Sequence, residues 1–478
     1  MIRPARRATS WCAVVALWAG CSLACDPRDA SAADKIDAAR AKFKVAAHKN
    51  TFETGKAHIE LGLWCRDAGL VPQATAEFLR AEELAGDEMP IAGKIVAIMR
   101  AYGDKFWKTV QKHPVALLRT YESKARAIDA DSIKDRLRLA KDALAWGLDE
   151  EGFQTYLDAV RLIDAPLQFD AKDQLILPTG TLPPEVSARI KAAAIAINEK
   201  LYVRDEVLSL VPDVKQISEA DGERVRVRTM GSMKEAEDVR AIVLAELPAL
   251  ESDLDGRPTR KMQVFVFKER KAYRAFLAAT KQDGFASALG LADGASNTAL
   301  INGEGVTPDD LRSTALHEVA HLFMYGVTPA VMPSWYAEGF ADQFGGRGTW
   351  QWDGKVLSTG GMLPSGPLQA LKTDAGFVPL AELCVAQAQE LIAKDLSKAS
   401  RFYAESWALL RFLRTASSQE LGERFHLWEL ACRGGAVGAE PGKARQRNTV
   451  PAQESFQKAF GADLPKIEAA FRAWLATL

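Results

Sequence analysis

Thr307-Pro308-Asp309-Asp310-Leu311-Arg312-Ser313-Thr314-Ala315-Leu316-His317-Glu318-Val319-Ala320-His321-Leu322-Phe323 is the stretch from which the rest of the chain is read. Thr307 can cap a helix, Pro308 suits its first position, and Asp309 and Asp310 favour its first turn. Apolar residues then recur at helical spacing through Leu311, Ala315, Leu316, Val319, Ala320, Leu322 and Phe323, and Gly326 is a C-terminal stop signal. On that helix His317 and His321 stand at i and i+4, so both imidazoles share one face and two neutral nitrogens can meet one Zn2+. Glu318 is rotated around the helix beside them, able to reach a metal-bound water without being a ligand. Two buried, hydrogen-bonded histidines are the competing explanation, and a third ligand has to separate the two.

A metzincin continuation is absent, because Met324 stands where Gly is needed and Val327 where His is needed. Downstream comes Met332-Pro333-Ser334-Trp335-Tyr336-Ala337-Glu338-Gly339-Phe340-Ala341-Asp342, with Pro333 and Ser334 reading as a second helix start. Glu338 lies seventeen residues after His321, and a helix–loop–helix of this length can fold an acid back over the two histidines. Asp342 is one turn further on the same face and can accept a hydrogen bond from a ligand imidazole, fixing its tautomer.

The pair HEVAH and WYAEGFAD resembles the gluzincins, the thermolysin- and aminopeptidase-like zinc peptidases, and more narrowly the bacterial peptidase-MA-like domain and its DUF1570 group. Tyr403-Ala404-Glu405-Ser406-Trp407-Ala408 is similar to a further helix of that group, and the tail from Phe456 to Trp474 to its closing helices. The resemblance covers about Asp221 to Leu478. It implies zinc ligands His317, His321 and Glu338, Glu318 as general base, Asp342 behind a ligand histidine, and Tyr403 opposite the metal as oxyanion stabiliser or as packing. The Gly-Ala-Met-Glu-Asn segment by which aminopeptidases bind a free amine has no counterpart before His317, which disfavours that class. Glu304 reads as a solvated loop residue and His426 as structural, and a Ser–His–Asp reading fails for want of G-x-S-x-G.

Outward from the helix, Arg224–Arg228 alternates as a half-buried strand, Met233–Leu250 is amphipathic and helical, Lys261–Phe267 is a stronger strand, Glu269–Thr280 returns to helix, and Thr298–Asn302 is a strand. This order predicts a small mixed sheet with helices packed on it. The Thr298–Asn302 strand is the expected edge for binding an extended substrate. Beyond Pro333 helices dominate, with a short hairpin over Thr349–Ser358 and a glycine-rich turn at Gly345-Gly346-Arg347-Gly348.

Residues 33–212 are rich in Ala, Leu, Lys, Glu and Arg at helical spacing. His58–Leu84 and Arg136–Leu162 match at a fixed offset: Leu61 with Leu139, Gly62 with Ala140, Cys65 with Ala143, Gly69 with Gly147, Phe78 with Tyr156, Ala81 with Ala159. The order resembles divergent tetratricopeptide repeats without their Trp and Pro, a generic helical bundle being the alternative. This region is scaffold or a docking surface for a protein partner. Leu177–Pro184 is a turn-rich break, and the next domain starts near Asp221.

Residues 1–32 read as a secretory signal: Arg3, Arg6 and Arg7, then an apolar run from Trp11 to Cys25. Cleavage after Ala32 in Ala30-Ser31-Ala32 and lipidation at Cys21 or Cys25 both remain open. Export to a bacterial periplasm or envelope follows, with membrane attachment only through an N-terminal lipid. The 478 residues carry 61 Lys+Arg and 62 Asp+Glu, a net charge of -1, which argues against a nucleic-acid or polybasic membrane-surface role. Cys65, Cys384 and Cys432 are expected as buried thiols rather than a disulfide network. The expected architecture is therefore mainly α with a small α/β unit: a helical-repeat region at 33–212, then a zincin-like domain at 221–478, split into an α/β part (221–326) and a helical part (327–478). The expected activity is zinc-dependent hydrolysis of peptide bonds in peptide or protein substrates. The alternatives are a non-catalytic envelope adaptor with a structural zinc site and a metal hydrolase of a non-peptide substrate.

Overall fold

A computed structural model of the chain describes residues 27–85, 115–163, 168–170, 172, 174–177, 180–196, 217–258, 260–294, 296–328, 331–373, 377–433 and 450–478. The signal segment up to Cys25 lies outside these residues, as do the expected helical residues 197–212. In the N-terminal half, α1 (Pro27–Asp67) and α2 (Val71–Ala85) form one helical hairpin, and α3 (Val115–Ala145) and α4 (Asp149–Leu162) form another. The two matched stretches of sequence fall on these hairpins. Each turns on a glycine in the left-handed region, Gly69 (φ 79°) and Gly147 (φ 75°), where a side chain is strained. Gly62 packs against Phe78, the small residue admitting the aromatic ring across the hairpin.

The expectation of an all-helical 33–212 needs correction. A three-stranded antiparallel sheet of β1 (Gln168–Phe169), β2 (Leu175–Leu177) and β3 (Gly180–Thr181) precedes α5 (Pro184–Ala196). Leu175 and Leu177 alternate inward to join the core of α3, α4 and α5, so the segment read as a break contributes to packing.

The second half opens on a five-stranded mixed sheet in the order β4-β5-β6-β8-β7. Its strands are β4 (Ser218–Ala220), β5 (Val225–Thr229), β6 (Met262–Phe267), β7 (Gly290–Asp293) and β8 (Thr298–Asn302). β5, β6 and β8 are parallel, and β4 and β7 pair antiparallel at the two edges. α6 (Met233–Leu254) follows β5, and α7 (Arg270–Ala279) follows β6. Val264, Val266 and Ile301 face α6 and the HExxH helix α8 (Pro308–Val327), whereas Phe265, Phe267 and Leu300 pack on α7. With both faces covered, β5 is buried along its whole length rather than half-buried. Its Arg226 is accommodated by pairing with Asp221 and Glu219, and its Arg228 by Glu219.

Two sequence expectations fail here. The Thr298–Asn302 strand is not an edge: β8 lies between β6 and β7, and the exposed edge belongs to the short strand Gly290–Asp293. Gly326 does not stop α8, which runs on to Val327. Its missing side chain instead admits Pro258, which a Cβ would approach to 2.9 Å.

After α8 come α9 (Ser334–Gly345), the hairpin β9 (Trp350–Trp352) with β10 (Leu357–Thr359), α10 (Ser365–Leu371), α11 (Leu380–Leu383), α12 (Ala388–Lys394), α13 (Leu396–Thr415), α14 (Gln419–Arg433), α15 (Val450–Phe460) and α16 (Leu464–Leu475). The chain is thus mainly helical with a small mixed sheet. One hydrophobic core runs from the sheet through α6 and α8 into these helices, so the α/β and helical parts of 221–478 fold around a shared interior. The apolar clusters of the N-terminal half are separate from it. Polar contacts join the halves: Arg257, itself paired with Glu251 at 2.5 Å, pairs with Glu122 at 2.8 Å, and the Gln73 side chain donates to the Asp255 carbonyl at 3.2 Å. No helix among the described residues is long and apolar enough to cross a membrane.

Candidate metal centre

The Thr307 hydroxyl accepts from the Asp310 amide at 3.1 Å, setting the first turn of α8 as its sequence requires. Three turns on, His317 Nε2 and His321 Nε2 lie 3.1 Å apart, and each is 3.2 Å from Glu338 Oε2 on α9. Two glycines let α9 pack tightly against its neighbours. Gly345 lies against the backbone of His317, and Gly339, next to Glu338, lies against the carbonyl of Ser406 on α13. A side chain at Gly345 would collide with the backbone of His317, and one at Gly339 would push α9 away from α13.

The donor set fits a zinc ion. Arms of about 2.0–2.1 Å in a tetrahedral site imply ligand–ligand edges of about 3.3–3.4 Å, close to this triangle. The protons agree. Asp342 Oδ1 sits 2.9 Å from His317 Nδ1 and accepts its N–H, so the neutral ring would offer its Nε2 lone pair to the triangle. His321 Nδ1 is buried with no hydrogen-bond partner among the described residues. Among the described residues, this is the group of His, Cys, Asp and Glu ligand atoms close enough to hold one ion.

The electrostatics follow from burial and from these neighbours. Burial raises the pKa of the Glu338 carboxyl, but His321 and His317 outweigh it and hold it down at about 2. Burial lowers that of His317, but Asp342 and Glu338 hold it well above the usual histidine range. Burial pushes Glu318 up, with Glu338 adding to the rise and the two histidines opposing it.

Glu318 is not in the triangle. It is buried, accepts the backbone N–H of Ala292 on edge strand β7, and lies where a side chain at Gly290 would collide with its Oε1. The sheet edge and the acid of the HExxH helix thus form one surface. Tyr403 on α13 completes it: its ring is 6.0 Å from that of His317 and its hydroxyl donates to Glu338. The structure therefore brings together His317, Glu318, His321, Glu338, Asp342 and Tyr403.

No protein-family model matches the chain, and no curated protein does.

Residues set aside in the sequence fall elsewhere. His426 is exposed on α14. Glu304 is more than a solvated loop residue, since its carboxylate accepts the Arg270 amide at 2.8 Å and caps α7. Four residues near the centre went unread. Gly290 and Ala292 lie in a Gly-, Ala- and Ser-rich stretch with no strand signal. Tyr273 has a buried hydroxyl without a hydrogen-bond partner among the described residues, and burial, with the Glu318 charge adding to it, raises its pKa. Glu246 on α6 is wholly buried, neither oxygen has a hydrogen-bond partner among the described residues, and the charge it senses is His317. Burial first, and little else, raises its pKa. An acid on the apolar stripe of Ile242, Val243, Leu247 and Leu250 was the available signal for Glu246.

Proposed function

We propose that this chain is a zinc-dependent peptidase of gluzincin type. The observation that carries the reading is the triangle of lone pairs from His317, His321 and Glu338 with the Glu318 carboxylate held beside it at a sheet edge. His317 Nε2, His321 Nε2 and Glu338 Oε2 would hold the ion. A zinc ion so bound polarises a carbonyl and makes water a better nucleophile near neutral pH.

The chain's own residues do the rest. Asp342 keeps His317 in the tautomer that offers Nε2. Glu318, fixed by the Ala292 N–H and freed of a side chain opposite by Gly290, takes the proton of the attacking water on its carboxylate and delivers it to the leaving nitrogen. The Tyr403 hydroxyl lies where it can turn from Glu338 to a developing oxyanion. β7 takes the role expected of Thr298–Asn302: its free edge pairs an extended peptide through main-chain hydrogen bonds. Under the same proposal, the hairpins α1–α2 and α3–α4 are tetratricopeptide-like repeats that dock a protein partner, and residues 1–32 direct export.

The test is zinc content followed by hydrolysis of a mixed protein substrate by wild type and Glu318→Gln. Zinc-dependent cleavage that the substitution removes supports the reading. Zinc binding without cleavage in wild type favours a non-catalytic adaptor, and no zinc in wild type ends the metal reading.

A further inference from the structure

Arg414, in the last turn of α13, stands far along the helix from Tyr403 and outside the metal triangle. Its guanidinium reaches three helices at once. Nη1 pairs with Asp253 Oδ2 near the end of α6 at 2.9 Å, Nε donates to Glu429 Oε1 on α14 at 2.9 Å, and Nη2 donates to the Tyr336 hydroxyl on α9 at 3.0 Å. The Tyr336 hydroxyl in turn donates a hydrogen bond to Glu429 Oε1 at 2.8 Å, so the fork closes into a ring. Tyr336 and Glu429 are buried, and the guanidinium also lies 5.8 Å from the ring centres of both Tyr336 and Phe340.

The placement on α9 gives the network its meaning. Tyr336 and Phe340 are one turn apart, and so are Glu338 and Asp342. The two pairs are offset by two residues, about 200° around the helix. One stripe of α9 therefore faces the metal triangle while the opposite stripe is held by Arg414. Between them, Gly339 fixes how near α9 approaches α13 through its contact with the Ser406 backbone. Close approach at a glycine sets distance without itself fixing rotation about the helix axis, which falls to the side chains that flank it.

We propose that Arg414 is a positioning residue for the metal centre: acting through Tyr336, it fixes the rotation of α9 that presents Glu338 and Asp342 to His317 and His321. The inference rests on the metal reading above. Lysine cannot replace it, since a point charge on a flexible stem cannot hold Asp253, Glu429 and a tyrosine hydroxyl in one plane.

The experiment measures zinc affinity by chelator competition and the visible absorption of the cobalt-substituted protein, in the full chain, at a temperature where circular dichroism shows the fold intact. Arg414→Lys should weaken zinc binding about 10-fold, as loss of an outer orienting partner does, and shift the cobalt bands. Tyr336→Phe keeps the ring and removes the hydroxyl, so it should shift the bands in the same direction with a smaller loss of affinity even if Arg414→Lys proves insoluble. Lys398→Ala, which removes an exposed ion pair to Glu382 at the other end of α13, should change neither reading. Unchanged zinc affinity and unchanged cobalt bands in Tyr336→Phe and any folded Arg414 variant, with only the melting temperature lowered, would overturn the proposal and leave Arg414 as a brace. A wild type that binds no zinc removes both the metal reading and this one.

Discussion

Two buried clusters of histidine and glutamate lie in the two halves of the molecule, and they are built in opposite ways. In the N-terminal half, Glu77 is fully consumed: one oxygen takes His58 Nδ1 at 2.6 Å, the other takes the Tyr121 hydroxyl at 2.7 Å, and Arg80 adds charge at 3.6 Å. Each acceptor there has a donor, and the cluster ties α1, α2 and α3 together. In the C-terminal half, two ring nitrogens and a carboxylate oxygen converge on one point, and His321 keeps a buried nitrogen unpartnered among the described residues. A polar cluster whose donors and acceptors satisfy one another needs nothing further. One whose acceptors face each other is stable only around a cation, be it a proton or a metal. Residue type does not separate the two clusters; the convergence of three ligand atoms in one and their pairing off in the other does.

The sharpest way to break this contrast is to remove one acid from each cluster and count metal. Purified protein should carry about one Zn2+ per chain by the three-ligand rule for catalytic zinc. Glu338→Ala should empty the site, whereas Glu77→Gln should leave zinc content unchanged. Full zinc retention in Glu338→Ala would show that the open cluster is not the ligand set. Next in size, Glu318→Gln should lower the hydrolysis rate by about 10²- to 10⁴-fold with zinc occupancy intact, because a proton acceptor is lost and no ligand is. Wild-type rates in that variant would remove Glu318 from the chemistry.

The third effect is on stability and belongs to the closed cluster. Glu77→Gln strips a buried ion pair of its charge and should destabilise the N-terminal half by about 3–5 kcal/mol in chemical denaturation, without touching zinc affinity. A variant as stable as wild type would mean that the cluster can be dispensed with. Asp342→Asn should act more gently on the open cluster, weakening zinc binding by about 10- to 100-fold with partial activity, measured by chelator competition.

The smallest effect concerns a buried acid of neither kind. Glu405 accepts the Val378 amide through one oxygen, and its other oxygen is unpartnered among the described residues; burial raises its pKa from 4.5 to about 8. A raised carboxyl favours the fold while protonated. Its contribution is therefore whole below about pH 4.5 and declines as pH climbs toward 8. The melting temperature of Glu405→Gln should fall less than that of wild type across this window, and parallel curves would place the titration elsewhere.

What could be read in the sequence divides along a physical line. The HExxH helix was legible because caps, charge and period act within a few residues of one another, and Thr307 does cap Asp310 as its type requires. β5, β6, β8 and the β9–β10 hairpin were legible because each strand carries β-branched or aromatic residues between turn signals. β7 was not, since Gly290-Leu291-Ala292-Asp293 has no strand composition and is held in place by β8 and by Glu318. The roles of Gly339 and Gly345 were also invisible. A glycine needed for close approach carries no local signal, and its meaning depends on a residue far away in the chain. Arg414 illustrates the same limit, since it looks like any solvated helical arginine until three partners from distant segments surround it.

The free edge of β7 carries a liability of its own. An unpaired strand edge is a template for any extended chain, including that of a neighbouring molecule. At the other end of the sheet, β4 is three residues long, and β7 is four, from Gly290 to Asp293. Part of the hydrogen-bonding capacity of β7 is already taken by Glu318. A glycine at one end and an aspartate at the other leave little room for a second molecule's strand to register. An edge so short and so punctuated can admit a strand briefly without nucleating a stack. Lengthening it with β-branched residues should therefore promote aggregation before it alters the arrangement of His317, His321 and Glu338.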